Sequence, residues 1–349
     1  MKGLWKGNLA VVEGAIAGGL DAYFGYPITP QNEIPEYMSA RMREIGRTFL
    51  QAESELAAIN MVFGAALTGK KAMTTSSSPG ISLMQEGISY LVGSETPAVI
   101  VNVQRGGPGL GNISGSQGDY FQTVKGGGHG DYKLIVFTPG SVQEMHDMAK
   151  VSFDVAFKYR NPVIILTDGV LGQMSEPAEI KVIKTTATPG VEDLGWNLTG
   201  ARGRKPRFIR SLFMGEGELE KYNYKLAKKF ETMKEELDWE EKDVEDAKVI
   251  LVGYGTSGRI NLEAYQEARK KGLKVGFFRL KTVYPFPEQR LYELSKRAKF
   301  LAVEMSMGQM VEDVKLAVQG RSEVRFYGKP GGGLPEVGEI IKIAKAMMQ

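Results

Sequence analysis

Hydrophobic positions from residue 8 to about residue 185 recur with two periods, one typical of helices and one typical of buried strands. Nearly continuous apolar runs such as Ala98–Val103 predict strands covered on both faces, and spacings of three and four residues predict helices between them. The predicted strands are Ala22–Tyr26, Thr48–Leu50, Lys71–Thr75, Ala98–Val103, Leu134–Phe137 and Val163–Leu166. The predicted helices are Asn8–Gly19, Thr29–Glu44, Glu53–Thr68, Gly80–Gly93 and Val142–Tyr159. This alternation indicates an α/β fold with a doubly wound, mainly parallel sheet.

The alternation stops near residue 186 and resumes at residue 247, which predicts three regions. Residues 1–185 form a first α/β domain, and residues 247–349 form a smaller one. Residues 186–246 form a charged linker, basic at first and then a helical run Glu218–Glu245 anchored by Trp239. In the second domain we expect strands Val249–Val252, Lys274–Leu280, Phe300–Val303 and Val324–Tyr327, and helices Arg259–Lys271, Glu288–Arg297, Val311–Val318 and Val337–Met347.

The rarest residue types restrict the chemistry most. The chain has no cysteine and two histidines, His129 and His146. This excludes disulfides, cysteine nucleophiles and cysteine-bound zinc or iron–sulfur clusters held by this chain alone, and we expect no metal site. The net charge of +3 gives no polybasic signal for nucleic acid. No apolar run approaches the roughly 18 residues of a membrane span, so we expect a cytoplasmic protein with no membrane partner.

Many of the 43 glycines follow the most apolar strand. The stretch from Arg105 to Gly130 starts where that strand ends, and ligands of open α/β sheets bind at this edge. A loop of this length is more often functional than a simple connection. Arg105 supplies a planar fork of donors that suits a carboxylate, and His129 is a candidate donor. We interpret the stretch as part of a site, with flexible surface glycine as the alternative.

Two further turns follow strands and open helices. In Tyr26–Pro30, Thr29 is expected to cap a helix that has Pro30 at its first position. The same geometry offers free N–H groups to an anion. The turn Thr74–Gly80 is rich in hydroxyls and also opens a helix. Three such turns on one sheet predict a pocket for a small anion, although capping alone also explains Thr29.

Glu53 and Glu55 stand at the start of a predicted helix, where carboxylates usually complement the helix dipole. Glu55, however, leads directly into the apolar run Leu56–Ile59. Burial there would raise its pKa and suit it to proton exchange. Composition leaves both interpretations open.

In the second domain, Gly253–Gly258 follows a strand and opens a helix in the pattern G-x-G-x-x-G. The dinucleotide fingerprint requires an acidic residue at the end of the next strand, whereas Arg279 stands near that position. Binding of NADP is therefore one interpretation, and tight packing of the strand on the helix is the other.

Together these turns resemble the α subunit of the 2-oxoacid:ferredoxin oxidoreductases over nearly the whole chain. The segments that carry the resemblance are Tyr26–Pro30, Glu53–Glu55, Thr75–Gly80, Gln104–Pro108, Ser116–Asp119, Tyr284–Pro287 and Glu304–Gln309. The run Lys125–Tyr132 looks most like the branched-chain, 2-oxoisovalerate branch. Ser54 stands where an aspartate is expected in the 2-oxoglutarate branch.

The resemblance implies CoA-dependent oxidative decarboxylation of a 2-oxoacid to an acyl-CoA, with thiamine diphosphate as cofactor and ferredoxin as electron acceptor. By position, Glu55 would hydrogen-bond the cofactor's aminopyrimidine and promote its imino form, and Pro27 would pack beside the cofactor. The implied substrate-binding residues are Ile28, Thr29, Ser78 and Arg105, and Arg105 is also implied to be catalytic. The first domain would be of the pyrimidine-binding type, and the second would resemble the C-terminal domain of transketolase.

The resemblance also implies partners, because the diphosphate-binding motif Gly-Asp-Gly followed by asparagine is incomplete here. Thr167–Gly169 with Asn197 lacks the first glycine, and we interpret this echo as accidental. A β subunit would then hold the diphosphate and Mg²⁺, and an iron–sulfur subunit would carry the clusters. Three alternatives stay open: the same reaction on 2-oxoglutarate or pyruvate, an NADP-dependent oxidoreductase using Gly253–Gly258, and a non-catalytic scaffold that docks through residues 202–245.

Overall fold

Two mainly parallel sheets and a short two-stranded ribbon form the framework of the chain. The computed structural model describes residues 1–184, 190 and 192–349. Its strands are β1 (Lys2–Lys6), β2 (Ala22–Gly25), β3 (Thr48–Gln51), β4 (Ala72–Ser76), β5 (Val99–Gln104), β6 (Ile135–Phe137), β7 (Val163–Asp168), β8 (Ser175–Glu179), β9 (Trp239–Lys242), β10 (Val249–Tyr254), β11 (Val275–Leu280), β12 (Thr282–Tyr284), β13 (Lys299–Glu304) and β14 (Val324–Gly328). Its helices are α1 (Gly7–Ala17), α2 (Glu33–Glu44), α3 (Glu55–Leu67), α4 (Ser78–Gly93), α5 (Tyr120–Val124), α6 (Val142–Tyr159), α7 (Gly169–Gln173), α8 (Glu218–Thr232), α9 (Gly255–Lys270), α10 (Glu288–Leu294), α11 (Met310–Val318) and α12 (Val337–Met347), with a 3-10 helix at Met233–Glu236.

The first sheet has the strand order β12-β6-β7-β5-β4-β2-β3. Its neighbours run parallel except for β12, which is antiparallel to β6. Every residue of β5 and β7 is buried. Along β5, Val99 and Val101 join one apolar cluster and Ile100 joins another, because successive side chains face opposite sides of the sheet. The predicted α/β class is confirmed, with a doubly wound sheet.

The second sheet has the order β14-β13-β10-β11-β9 and is parallel except for β9. Val249 and Leu251 of β10 pack with Ile340 and Met347 of α12 in a cluster of their own. Another apolar cluster contains Ile100 of β5 and Ile250 of β10, so part of the core is shared between the two domains.

The two domains are joined in the middle of the Gly-rich stretch Arg105–Gly130. The side-chain amide of Gln117 donates to the Tyr254 carbonyl at 2.8 Å and accepts from the Met305 N–H at 3.0 Å. Gln309 donates to the Gly118 carbonyl at 2.7 Å. These bonds lie where β10 and β13 end, so the second domain packs close to the edge of the first sheet that carries the predicted turns.

The helix predicted from a Thr29 cap begins later than expected. α2 starts at Glu33, and Asn32 directly precedes it. The Thr29 hydroxyl accepts from the Asn32 side chain at 3.1 Å and caps no helix. The cap prediction is wrong because Thr29 and Pro30 lie in the loop that leaves the sheet edge. The argument for an anion at a helix start therefore fails at Thr29.

The long helical run predicted for Glu218–Glu245 is wrong beyond residue 236. α8 ends at Thr232, and after the 3-10 helix the chain forms β9 at the edge of the second sheet. There Trp239 stacks on Phe278, with ring centroids 6.1 Å apart. Arg279 pairs with Glu240 at 2.9 Å. Pairing with β11 offsets the weak strand propensity of this charged stretch.

The predicted region limits stay predictions, and the limit at residue 185 lies outside the described residues. β9 nevertheless belongs to the second sheet although it precedes residue 247. The ribbon of β1 and β8 was not predicted from the sequence, because both strands are short and polar. In the described part of the chain, no helix combines the length and apolarity needed to cross a membrane.

Candidate active site

The carboxyl ends of β2, β4 and β5 lie side by side in the first sheet, because β4 pairs in parallel with both neighbours. β2 leads into Tyr26–Pro30, β4 leads into Ser77–Gly80, and β5 leads directly into Arg105. The structure thus places the three predicted turns at one edge, which is where open α/β sheets bind ligands.

Glu55 is the first residue of α3, and 5% of its surface is exposed. The helix starts there because the Ala57 N–H donates to the hydroxyl of the capping residue Ser54 at 3.2 Å. Among the described residues, no group donates a hydrogen bond to the Glu55 carboxylate. A buried carboxylate without donors is costly unless a proton or a ligand satisfies it. This environment suits a carboxyl that shares a proton with a bound molecule.

Gly80, in the first turn of α4, lets Glu55 approach the backbone of that helix closely. A Cβ at this position would collide with Oε1 of Glu55 and Oγ of Ser76. Within the described chain, the hydroxyls of Thr74, Ser76 and Ser77 are buried without hydrogen-bond partners. Buried unpaired hydroxyls are rare in native proteins and often mark a place where a ligand or water completes the bonding. Sequence reasoning noted the hydroxyl-rich turn but missed Gly80 as the residue that leaves room for the Glu55 side chain.

Arg105 links the loop that follows β2 to the loop that follows β5. Its guanidinium donates to the carbonyls of Thr29 at 3.0 Å and Leu110 at 3.1 Å. Its Nε is buried and has no partner in the described structure. Thr29 and Ile28 are half-buried and Pro27 is exposed. The structure therefore brings Arg105 and the loop containing Pro27, Ile28 and Thr29 together, as the sequence predicted.

Ser78 is engaged by other groups of the same chain. Its hydroxyl donates to Oδ2 of Asp119 at 2.6 Å and accepts from the Arg105 N–H at 3.0 Å. Asn102 also donates to Asp119, at 2.9 Å. Burial raises the pKa of the Asp119 carboxyl, and the two hydrogen bonds oppose that rise. Sequence reasoning included Asp119 in a motif but gave it no role, because its contact with Ser78 spans 41 residues.

The glycine turn of the second domain is not an open anion site. Gly255 has φ +51°, a conformation that favours glycine, and it begins α9. The Thr256 N–H and hydroxyl at that helix start donate to the Asp168 carboxylate. Arg279 is bound by Glu144 and Glu240. The carboxylate therefore fills the place where a dinucleotide diphosphate would bind, which contradicts the NADP interpretation and supports the packing one.

The incomplete diphosphate motif, Thr167–Gly169 with Asn197, does not form one site in the structure, because its Asp168 and Asn197 make separate contacts. Asp168 caps α7 by accepting from Val170 and Leu171. Asn197 donates to the Thr68 carbonyl at 2.9 Å, at the end of α3 opposite to Glu55. In the described residues, no group of three or more histidine, aspartate or glutamate side chains is placed to hold a metal ion.

Two family models match the chain. Residues 13–236 match the model described as pyruvate flavodoxin/ferredoxin oxidoreductase, thiamine diphosphate-binding. Residues 247–340 match the model described as pyruvate:ferredoxin oxidoreductase core domain II.

A relative and two solved structures give a consistent comparison. The chain is 50% identical to ketoisovalerate oxidoreductase subunit VorB of Methanothermobacter marburgensis, over 97% of this chain and 95% of the relative. It is similar to the 2-oxoglutarate:ferredoxin oxidoreductase of Magnetococcus marinus solved with 2-oxoglutarate, coenzyme A and succinyl-CoA, with a TM-score of 0.85 and 29% identity. The match covers 100% of this chain but spans only 65% of that one. A split-gene transketolase, an inactive β4 tetramer, shares the fold, with a TM-score of 0.57, 13% identity and coverage of 98% and 95%.

Proposed function

Because this chain belongs to the 2-oxoacid:ferredoxin oxidoreductase family as one of its subunits, we propose that it supplies the pyrimidine-facing half of a shared thiamine diphosphate site. The reaction is the CoA-dependent oxidative decarboxylation of a 2-oxoacid, with electrons passed to ferredoxin. The chain works as part of a complex and is inactive alone.

One observation carries this proposal: the carboxylate of the largely buried Glu55 accepts no hydrogen bond from the described residues and lies against Gly80, beside the unpaired Ser76 hydroxyl. These groups fit the polar edge of an aminopyrimidine, which needs a carboxyl to hydrogen-bond a ring nitrogen. When bound, thiamine diphosphate supplies the carbon nucleophile and the electron sink for decarboxylation. Glu55 would hold and exchange a proton at the pyrimidine, because a carboxyl within hydrogen-bond reach of a ring nitrogen can pass a proton to it and take it back.

Arg105 and the loop after β2 form the substrate side of the site. The guanidinium binds the 2-oxoacid carboxylate, and its contact with the Thr29 carbonyl holds Thr29 beside the reacting carbonyl. Ile28 and Ser78 complete this wall, and Pro27 packs against the cofactor. A planar, always charged donor fork suits a carboxylate better than a lysine would.

The diphosphate half, with its Mg²⁺, belongs to a β subunit. Asp168 accepts hydrogen bonds from the start of α7 and from Thr256, and Asn197 lies at the far end of α3. The residues of the incomplete motif therefore stabilise the fold and do not bind the diphosphate. The chain contains no cysteine, and the iron–sulfur clusters therefore lie on an iron–sulfur subunit.

The substrate is a branched-chain 2-oxoacid of the 2-oxoisovalerate (3-methyl-2-oxobutanoate) type. The 50% identity to a ketoisovalerate oxidoreductase subunit supports this choice. The likeness to a 2-oxoglutarate:ferredoxin oxidoreductase, at 29% identity, makes 2-oxoglutarate the second candidate.

The test is an assay of the chain purified with its partner subunits. Reduction of ferredoxin that depends on CoA is measured with 3-methyl-2-oxobutanoate, 2-oxoglutarate and pyruvate. We expect the branched-chain acid to give the highest kcat/KM and Glu55→Gln to lower kcat at least a hundredfold. Glu53→Gln, at an exposed position two residues earlier, is the matched control and should keep full activity. Full activity of Glu55→Gln would instead support a scaffold role.

A further inference from the structure

Asp119 occupies an unusual position for an aspartate at a helix start. It directly precedes α5, where an aspartate side chain commonly accepts from backbone N–H groups, yet it makes no such cap. Its carboxylate instead turns toward the sheet edge. There Oδ2 accepts from the Ser78 hydroxyl at 2.6 Å and from the Asn102 side chain at 2.9 Å. In place of a capping bond, the carboxylate contacts the first residue of α4 and a residue inside β5.

The bond to Ser78 extends to Arg105. The Ser78 hydroxyl has one proton, and Asp119 at 2.6 Å is a better acceptor for it than the Arg105 carbonyl at 3.3 Å. With its proton directed to Asp119, the hydroxyl oxygen accepts from the Arg105 N–H at 3.0 Å. The Asp119 carboxylate therefore sets the direction of the Ser78 hydroxyl, and that hydroxyl helps to hold the backbone at Arg105.

The Arg105 side chain depends on that backbone position. Its guanidinium reaches two carbonyls from opposite loops, at 3.0 and 3.1 Å, and both bonds require the Cα to stay at the end of β5. The backbone here is also held by a bridge between Arg105 and Gly115 and by the Gly106 N–H, which donates to the Ser114 carbonyl at 2.9 Å. The Ser78 hydroxyl adds a contact from the first residue of α4.

We propose that Asp119 is a positioning residue for substrate binding: through Ser78 it holds Arg105 where the guanidinium receives the 2-oxoacid carboxylate. This inference rests on the proposed function and deepens it. Asp119 itself touches neither the acid nor the guanidinium in this arrangement. It acts on substrate affinity through Ser78 and the Arg105 backbone.

The kinetic test uses the complex reconstituted with its partner subunits. Asp119→Ala is expected to raise KM for the 2-oxoacid about tenfold and to change kcat less than about threefold, because the lost hydrogen bonds position the binding group. Asp119→Asn keeps an oxygen that accepts from Ser78 and Asn102, so it should restore most of the affinity. In an Arg105→Lys background, Asp119→Ala should add little further increase in KM.

Asp313→Asn is the matched control. Asp313 is another buried carboxylate that accepts from a hydroxyl, that of Tyr120 at 2.6 Å, but it has no bond to Ser78 or Arg105. The variant Asp313→Asn should therefore leave the KM for the 2-oxoacid unchanged. An unchanged KM in Asp119→Ala, or an equal rise in KM in the Arg105→Lys background, would overturn the proposal.

Hydrogen exchange on the same complex provides a measurement that needs no turnover. The amide of Arg105 should exchange faster in Asp119→Ala than in the wild type and Asp313→Asn, because the acceptor Ser78 is no longer held. Faster exchange in a complex without 2-oxoacid activity would uphold the positioning role and count against the proposed function. Unchanged exchange in a complex that is active on 2-oxoacids would support the proposed function and count against the positioning role.

Discussion

The Asp168 carboxylate at the end of β7 accepts from the Thr256 hydroxyl at 2.8 Å and from the Thr256 N–H at 3.3 Å. The same carboxylate accepts from Val170 and Leu171 at 3.0 and 3.1 Å. One buried side chain thus caps α7 in the first domain and α9 in the second. Burial raises the pKa of Asp168, and the four donors offset the penalty on its charged form.

Replacing Asp168 should loosen the contact between the domains. Asp168→Ala leaves buried N–H groups and a hydroxyl without an acceptor, so we expect it to lower the free energy of unfolding by about 2–4 kcal/mol. Urea-induced unfolding followed by circular dichroism measures this loss. Thr256→Val removes one of the four donors and should cost about 1 kcal/mol. Equal stabilities of Asp168→Ala and the wild type would show that the contact contributes nothing.

The buried ion pair between Glu13 and Arg41 predicts a second large loss of stability on mutation. Glu13 is fully buried and accepts from Arg41 at 2.6 Å and from Tyr37 at 2.8 Å. Glu13→Ala leaves the buried guanidinium without its main partner and should lower the unfolding free energy by about 3–5 kcal/mol. Glu339→Ala, which breaks the exposed pair with Lys342, should change it by less than about 1 kcal/mol. Similar losses in the two variants would contradict this account.

A side chain at Gly80 would displace Glu55 and Ser76 and should therefore impair cofactor binding. In Gly80→Ala the new methyl group meets Glu55 and Ser76, and we expect thiamine diphosphate to bind the reconstituted complex at least about tenfold more weakly. Isothermal titration measures the affinity. Gly64→Ala is the control, because a Cβ at this α3 position meets nothing within 4 Å and should stabilise the helix by about 0.5–1 kcal/mol. Undiminished affinity in Gly80→Ala would place the cofactor elsewhere.

Lys229 predicts a pH dependence of stability. Burial lowers the pKa of this side chain to about 8, against the attraction of Glu95 at 3.5 Å. The unfolded chain therefore binds more protons between about pH 8 and 10.5, and this group makes stability rise with pH in that window. Relative to Lys229→Met, the free energy of unfolding of the wild type should rise by on the order of 2–3 kcal/mol between about pH 7.5 and pH 10.

The measurement is urea unfolding of both proteins across that range. Lys228→Met changes the exposed neighbour and serves as the control. A difference between the wild type and Lys229→Met that stays constant with pH would show that the folded-state pKa is ordinary.

Much of the architecture follows from local patterns. The helices Val142–Tyr159 and Val337–Met347 begin and end where their periodicity predicts. The start of α3 follows from one capping hydroxyl, that of Ser54. Because strand carboxyl ends meet at one edge of a parallel sheet, the sequence alone also placed Thr29, Ser78 and Arg105 near one another.

Tertiary structure decided what local periodicity cannot encode. The charged stretch of β9 becomes a strand only through pairing with β11. The strand β12, which follows β11 in the chain, pairs with β6 of the first sheet. The contacts of Ser78 with Asp119 and of Asp168 with Thr256 span 41 and 88 residues. Backbone pairing and buried hydrogen bonds depend on which groups the folded chain brings together, whereas hydrophobic period depends only on neighbours in sequence. The sequence therefore determined the two α/β domains and the site edge, and folding decided which carboxylates stay unpaired there and which join the domains.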